Sequence, residues 1–559
     1  SHADGNYVTL DAAIIRDDVD VVLQCSGLRL KWISSAQPEI EAATTVSVNS
    51  DNPNNYDREI AIIGMAGRFP EADDCEQFWQ LLSEGRSAIK EVPKNRWNID
   101  DVYSGNPGEY RKTYCRYGGF LSDIDQFDAR FFQMTDKEAE LTDPQQRLFL
   151  EACWEAMEEA GYANDAVSRT ACGVFVGVGQ SDYQDRMKSE EIQVGPQSFW
   201  GNDNSVLAAR ISYYLNLKGP SIAINTACSS SLVSIHLACQ SILSGECNMA
   251  LAGGVYIGTT PNFFIVSSNA QMLSPDGTCY AFDHRANGFV PGEGVGAIVL
   301  KSMKQAIKDK DPIIGVINAS ALNQDGKTNG ITAPSSLSQS ELEEKLYRQA
   351  GINPASISYV EAHGTGTPLG DPIEFEALSR SFRKFTSKEQ FCALGSVKAN
   401  IGHAATAAGI ASMIKVLLAL RHKQIPPCIT FEQENPNIHL NDSPFFINKA
   451  LIPWVGSKEA GLRAAVSSFG FSGTNCHIVV SEPPRSSRKK TRDNRLYFIP
   501  LSARTSDSLK AQMIRLSRRL MEGTHLELSD IAYTLSCRRK HFPIRTAFIA
   551  RSLNDLLEQ

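Results

Sequence analysis

The sequence predicts a layered α/β fold, and three observations carry that prediction. From residue 58 to about 483, strand-like runs (GVFVGVG, SIAINTA, MALAGGVYIG, ISYVEAHG, CHIVVSE) alternate with helix-like segments. Hydrophobic residues make up 42% of the chain and charged residues 21%, which excludes a mainly disordered, collagen-like or coiled-coil protein. A length of 559 residues calls for a large core or more than one domain.

Residues 1–57 read as an N-terminal appendage and linker. VDVVLQC and LRLKW are strand-like, whereas residues 36–57 are rich in Asn, Ser, Thr and Asp and poor in large apolar side chains. The main domain, 58–483, opens with EIAIIGM, a short Ile-rich run expected to form a buried strand. One helix is punctuated at both ends: Asp143 is a natural N-cap, Pro144 suits the first helical position and Gly161 stops QQRLFLEACWEAMEEA. The stretch PPRSSRKKTRDNR marks the second boundary, read as a solvated linker or a docking patch for an acidic partner. Within 484–559, Leu509, Met513, Leu516 and Leu520 fall at helical spacing and TAFIA reads as a strand, predicting a small α+β subdomain.

With 55 Lys plus Arg against 63 Asp plus Glu, the net charge of -8 lacks the basic footprint of a nucleic-acid binder. The 13 cysteines form no CxxC pair and no Cys/His ligand spacing, which disfavours a disulfide framework and a structural metal site and fits a cytoplasmic setting. No apolar run reads as a membrane span and no signal pattern opens the chain.

Four segments carry residues suited to chemistry. Cys228 stands where SIAINTA meets a helix-like segment, so orphan amides and the helix dipole are expected to lower its pKa and to meet the oxyanion of an attacked carbonyl. Taken alone, a free Cys is more often an inert small hydrophobe. His363 opens HGTGTPLGDP, whose Thr365 and Thr367 offer hydroxyls to a slender ligand. His403 lies five residues after Lys398 in GSVKANIGH, ahead of a small-residue helix suited equally to tight packing. In SSFGFSGTN, Gly470 and Gly473 bracket Phe471, consistent with an exposed oxyanion-binding amide or a plain hairpin turn. PGEGVG and GVG do not match a phosphate-binding loop.

In this order, TACSSS, HGTGT, GSVKANIGH and SFGFSGTN, with IAIIGMAGRFP and FVPGEGVGAIVLK, resemble the β-ketoacyl synthase family. The likeness is strongest to ketosynthase domains of modular polyketide synthases. It spans residues 58–483 and continues in FIPLSARTSDSL and DIAYTLSCRRKHFPIR, which look like the linker subdomain that follows such domains. NTACSSSL and GFVPGEGVGAIVL are similar to ketosynthases served by a trans-acting acyltransferase.

The resemblance implies a thiolase-like fold of two similar halves in α-β-α-β-α layers, usually a homodimer among neighbouring polyketide synthase domains. It implies that Cys228 accepts an acyl chain from acyl carrier protein, and that His363 and His403 stabilise the enolate formed when a malonyl unit loses carbon dioxide. The amides of Cys228 and Phe471 would hold the acyl oxyanion. Lys398 would support the site electrostatically, and Thr365 and Thr367 would contact the phosphopantetheine arm; the domain itself would bind no cofactor or metal. Ala405 and Ser412 stand where relatives often carry Glu or Gln and Glu, respectively. The alternatives are a transacylating gatekeeper and an assembly scaffold; Cys476 is the sole candidate for a thiolase's second cysteine and lies in the wrong motif.

Overall fold

Strands that can be buried on both faces need apolar residues at every position, and EIAIIGM supplies them. The computed structural model describes residues 2–4, 7–16, 20–31, 56–457, 460–484, 495–521 and 526–559. The basic stretch Arg488 to Arg492 and most of the 36–57 linker lie outside the described residues. The chain divides into two units, residues 1–51 with 484–493 and residues 52–483 with 494–559. In the first, His2–Asp4, Tyr7–Arg16 and Asp20–Lys31 form a three-stranded antiparallel sheet in chain order.

The second unit is built on one sheet of eleven strands. In chain order these are β1 (Ile60–Arg68), β2 (Cys172–Val178), β3 (Ser221–Ile224), β4 (Met249–Tyr256), β5 (Gly294–Ser302), β6 (Gly315–Gln324), β7 (Tyr359–Glu361), β8 (Cys392–Gly395), β9 (Phe445–Phe446), β10 (Arg463–Phe469) and β11 (Thr474–Ser481). The sheet runs β9-β8-β7-β10-β11-β6-β1-β5-β4-β2-β3.

This order contains an internal repeat. Outward from the centre, the first half reads β1-β5-β4-β2-β3 and the second β6-β11-β10-β7-β8. Each is therefore first, fifth, fourth, second and third in its own chain order, if the two-residue edge strand β9 is set aside. Directions repeat as well, with two antiparallel pairings followed by two parallel ones in each half. The halves join through three residue pairs between β1 and β6, Gly315↔Ile62, Val316↔Ala61 and Ile317↔Ile60.

The principal helices are α1 (Pro144–Ala160), α2 (Ser230–Leu243), α3 (Ser336–Ala350), α4 (Gly370–Arg383), α5 (Ala408–His422), α6 (Ser506–Met521) and α7 (Leu528–Cys537). Helix α1 covers β1 and β5 from outside, and α3, with α4 packed on it, covers β6 and β11. Between the halves lie α2, against β2 and β4 of the first and β6 and β11 of the second, and α5, against β5 and β10. This is the five-layer thiolase-like arrangement. The middle layer is dry: Leu232 and Ile235 of α2 share one buried cluster with Ile410, Met413, Ile414 and Leu417 of α5.

That packing also accounts for the composition of the 18 residues Ala405–His422, which are long and apolar enough on average to cross a membrane although Lys415, Arg421 and His422 interrupt them. They are apolar because the two halves of the sheet bury them.

Helix α1 begins and ends as expected. The Asp143 carboxylate accepts the N–H of Gln145 at 2.8 Å, Pro144 occupies the first turn, and Gly161 closes the helix in the left-handed region at φ 77°. Past it, the described part of residues 495–559 packs on the rest of this unit. Its strands Tyr497–Ala503 and Ile544–Ala550 pair antiparallel. The Phe542 ring meets Phe131 at 5.6 Å and Lys540 pairs with Asp165 at 3.0 Å.

Gly64 on β1 shows how closely α1 sits. A Cβ there would lie 2.4 Å from the carbonyl oxygen of Ala156 and 2.9 Å from the Cβ of Ala160. Since the first obstacle is backbone, Gly64→Ala is expected to lower stability by about 1–3 kcal/mol, measured as a shift of the urea midpoint at unchanged slope.

Candidate active site

The Cys228 corner is built by a forced turn. After β3 the chain passes through one 3-10 turn, Ala227–Ser229, directly into α2. Ala227 stands at φ 57°, a left-handed conformation uncommon for a residue with a side chain. Local bonds hold it: Ala227 N–H donates to Asn225 Oδ1 at 3.1 Å, Thr226 N–H to Ser230 Oγ at 2.9 Å, and the Ser229 hydroxyl to the Thr226 carbonyl at 2.9 Å. The second half contributes as well, since the Ser468 hydroxyl of β10 donates to the Cys228 carbonyl at 2.9 Å.

The turn between β10 and β11 lies on this corner. A Cβ on Gly470 would stand 2.3 Å from the Thr226 carbonyl oxygen, so only glycine lets the hairpin approach so near. The segment is thus both a hairpin and an amide donor. Phe471 is 57% exposed, and its backbone amide and that of Cys228 lie close enough to the Cys228 thiol to favour its ionised form.

His363 follows β7 and His403 follows β8, and the fold brings the two rings to 5.5 Å between centroids at 84°. His403 is buried, with its N–H on the Val290 carbonyl at 2.7 Å and its ring against Phe289 at 5.1 Å. The N–H of Ala405 donates to His403 Nδ1 at 3.2 Å. That bond leaves Nδ1 an acceptor and puts the proton of the neutral ring on Nε2. The His363 loop is fixed by Glu374 of α4, whose two carboxylate oxygens accept the N–H groups of His363 at 2.7 Å and Gly364 at 2.8 Å. Among the described residues the buried Nδ1 of His363 has no hydrogen-bond partner.

Lys398 is fully buried, and its ammonium donates to the His363 carbonyl. The two imidazoles and the Lys398 ammonium of the second half thus meet, and the lysine's charge is felt at the Cys228 thiol of the first.

Comparison with known proteins gives this constellation its family. Residues 57–306 match the family profile "Beta-ketoacyl synthase, N-terminal domain", residues 314–432 match "Beta-ketoacyl synthase, C-terminal domain", and 497–559 match "CurL-like, PKS C-terminal". A solved ketosynthase from module 6 of the bacillaene synthase of Bacillus subtilis 168 superposes with TM-score 0.83 at 46% identity, covering 89% of this chain and 84% of that one. The chain belongs to the β-ketoacyl synthase family. It is a ketosynthase of the polyketide synthase kind, a condensing acyltransferase.

The ketosynthase domain OzmH KS7 of Streptomyces albus JA3453 gives TM-score 0.82 at 36% identity, covering 89% of this chain and 87% of that one. Among curated proteins, polyketide synthase PksL of Bacillus subtilis is 46% identical over 516 residues, 92% of this chain and 11% of PksL. Polyketide synthase ThaG of Burkholderia thailandensis is 43% identical over 528 residues, 92% of this chain and 9% of ThaG. The ketosynthase therefore spans about a tenth of the length of these relatives.

Electrostatics at the site follow from burial. Loss of water, and then the Lys398 ammonium, hold both His363 and His403 well below the usual imidazole range, so both rings are neutral at physiological pH. Burial also lowers Lys398, opposed by the carboxylates of Glu361 and Glu374. The Cys228 thiol corrects the sequence reading. It keeps some solvent access yet is densely enclosed, and burial raises its pKa above the ordinary thiol value, with the Phe471 amide and Lys398 pulling the other way. The two amides therefore offset desolvation without producing a resting thiolate.

The loop threonines lie side by side, Thr365 Oγ1 to Thr367 Oγ1 at 3.0 Å, and Gly370 N–H donates to Thr367 at 3.1 Å. Sequence reasoning passed over the acids behind the loop. Asp371 accepts Phe282 N–H at 2.7 Å and Gly366 N–H at 3.1 Å, and burial pushes it up to about 6. Burial likewise pushes Glu374 up to about 7. Their signal was present in GDPIEFE, one helical turn apart, where acids read as an ordinary first turn.

A raised thiol pKa predicts that alkylation of Cys228 by iodoacetamide accelerates with pH beyond 9.0, the ordinary thiol value, without levelling below it. Lys398→Met removes a cation that favours the thiolate, so its alkylation is expected to be slower at each pH, read as Cys228-peptide modification by mass spectrometry.

Proposed function

We propose that this ketosynthase extends an acyl chain held on acyl carrier protein by decarboxylative Claisen condensation with a malonyl unit. The observation that carries this reading is a cysteine whose thiol feels two backbone amides and Lys398, together with two neutral imidazoles that meet each other, one with its proton directed to Nε2, and a lysine that also holds the His363 carbonyl. The Cys228 sulfur, as thiolate, attacks the acyl thioester carbonyl, and the N–H groups of Cys228 and Phe471 meet the oxyanion. The phosphopantetheine thiol leaves, and the chain stays on Cys228 as a thioester.

A malonyl thioester then enters along Thr365 and Thr367. Its carbon–carboxylate bond breaks, carbon dioxide leaves, and the electron pair passes to the α-carbon as an enolate whose oxygen takes hydrogen bonds from His363 and His403. The α-carbon attacks the acyl-Cys228 carbonyl, Cys228 leaves as thiolate, and a β-ketoacyl thioester remains on the carrier. No strong base is needed, because decarboxylation supplies the carbanion. Neutral imidazoles suit this chemistry, since they donate to the growing enolate charge and do not protonate it as imidazolium would.

In the same reading, residues 58–483 form the condensing domain and 484–559 the linker subdomain that follows it, both within a larger cytoplasmic polyketide synthase. The acyltransferase acts in trans, as the wording of NTACSSSL and GFVPGEGVGAIVL suggests. A homodimer is supported by the outer edge of β3, which ends the sheet with Ile222 exposed at 42%.

Intact-protein mass after incubation with acyl thioesters, then with malonyl-loaded carrier, tests the reading. Wild type should gain one acyl group and discharge it as a β-ketoacyl carrier product, whereas Cys228→Ala gains none. His403→Ala should still load but condense roughly 10²- to 10³-fold more slowly. Loading of wild type without the β-keto product would make the chain a transacylating gatekeeper. No loading by any thioester would make it a scaffold.

A further inference from the structure

A buried ion pair adjoins the site, and beyond the pull of its carboxylate on Lys398 the chemistry above makes no use of it. Glu361, the last residue of β7, and Lys415 of α5 are 0% and 1% exposed. Glu361 Oε1 accepts the N–H of Val397 at 2.6 Å. Its other oxygen, Oε2, accepts the hydroxyl of buried Tyr359 and lies 2.8 Å from Lys415 Nζ. Val397 immediately precedes Lys398, and Glu361 stands two residues before His363. One carboxylate thus ties three elements together: the strand that leads to His363, the turn that begins Lys398–Ile401, and the middle-layer helix.

Stability alone is a poor reason for this arrangement, because an apolar trio of equal volume generally stabilises a buried site at least as well as an ion pair. The bonds are directed instead at the two segments whose relative position sets the contact of Lys398 with the His363 carbonyl. We infer that Glu361 is a positioning residue for the malonyl half of the reaction, anchored by Lys415 and Tyr359, and that it holds the Val397–Lys398 turn in register with His363. This rests on the condensation reading. The acids Asp371 and Glu374 hold the His363 loop from its other side through backbone N–H groups, so Glu361 is the carboxylate that reaches the Lys398 turn.

The test compares wild type with the apolar replacement Tyr359→Phe/Glu361→Leu/Lys415→Met and with Glu361→Gln, which keeps an oxygen for Val397. Three quantities are measured: loading of Cys228, kcat and KM for condensation, and backbone hydrogen exchange of the peptide spanning 396–401. The apolar variant should melt within about 5 °C of wild type and load within twofold. Its condensation kcat should fall roughly thirtyfold or more at unchanged KM, with exchange at 396–401 faster and exchange in α2 unchanged; Glu361→Gln should recover most of the rate. Wild-type kcat in the folded apolar variant, or loading lost in step with condensation, overturns the inference. If that variant does not fold, exchange at 396–401 decides in Glu361→Gln, whose amide is the weaker acceptor: faster exchange supports the role and unchanged exchange removes it. Hydrogen exchange needs no substrate, so wild type that loads without condensing would overturn the functional reading while exchange still judged Glu361.

Discussion

The three residue pairs between β1 and β6 set where the two halves of the repeat meet, and the reacting groups follow from that meeting. Cys228 follows the third strand of the first half, while Lys398 and His403 follow the third strand of the second. Cys228 and His403 therefore occupy equivalent places in a duplicated architecture, His363 follows the neighbouring second strand, and α2 and α5 run side by side between the two halves of the sheet. A site divided between halves needs both folded and packed before it exists, which makes the dry contact between α2 and α5 a requirement for chemistry as well as for stability.

Around that meeting point the protein uses burial as an electrostatic tool. Water exclusion raises Cys228, lowers Lys398 and keeps both imidazoles neutral. Charges are then placed in small numbers: one ammonium on the His363 carbonyl and carboxylates behind the loops, with Glu374 bonded to backbone N–H groups and away from the reacting atoms. Such a site is preorganised for a reaction whose negative charge appears and disappears on oxygen atoms.

Much of this was legible in the sequence, for physical reasons. Doubly buried strands read as apolar runs, so EIAIIGM, GVFVGVG and CHIVVSE announced the sheet, and Asp143, Pro144 and Gly161 announced α1. The residues with unusual chemistry stood out because they sit in glycine- and serine-rich turns. What stayed hidden depends on distance through space. Glu361, Asp371, Glu374 and Lys415 look like any acids and lysine on a strand and two helices until the fold buries them. The sign of the thiol shift was misread because dipole and amides are visible in a sequence whereas the competing loss of water is not.

The two 3-10 turns that lead into α2 and α5 share a feature beyond their place in the repeat. Each opens on an alanine in the left-handed region, Ala227 at φ 57° and Ala405 at φ 42°. At Ala405 this twist turns a peptide N–H onto His403 Nδ1. The tautomer of the imidazole is thereby set by the main chain, through a donor that every amino acid except proline carries. The proton on that ring is thus placed without any help from the side chain at this position, here a bare methyl.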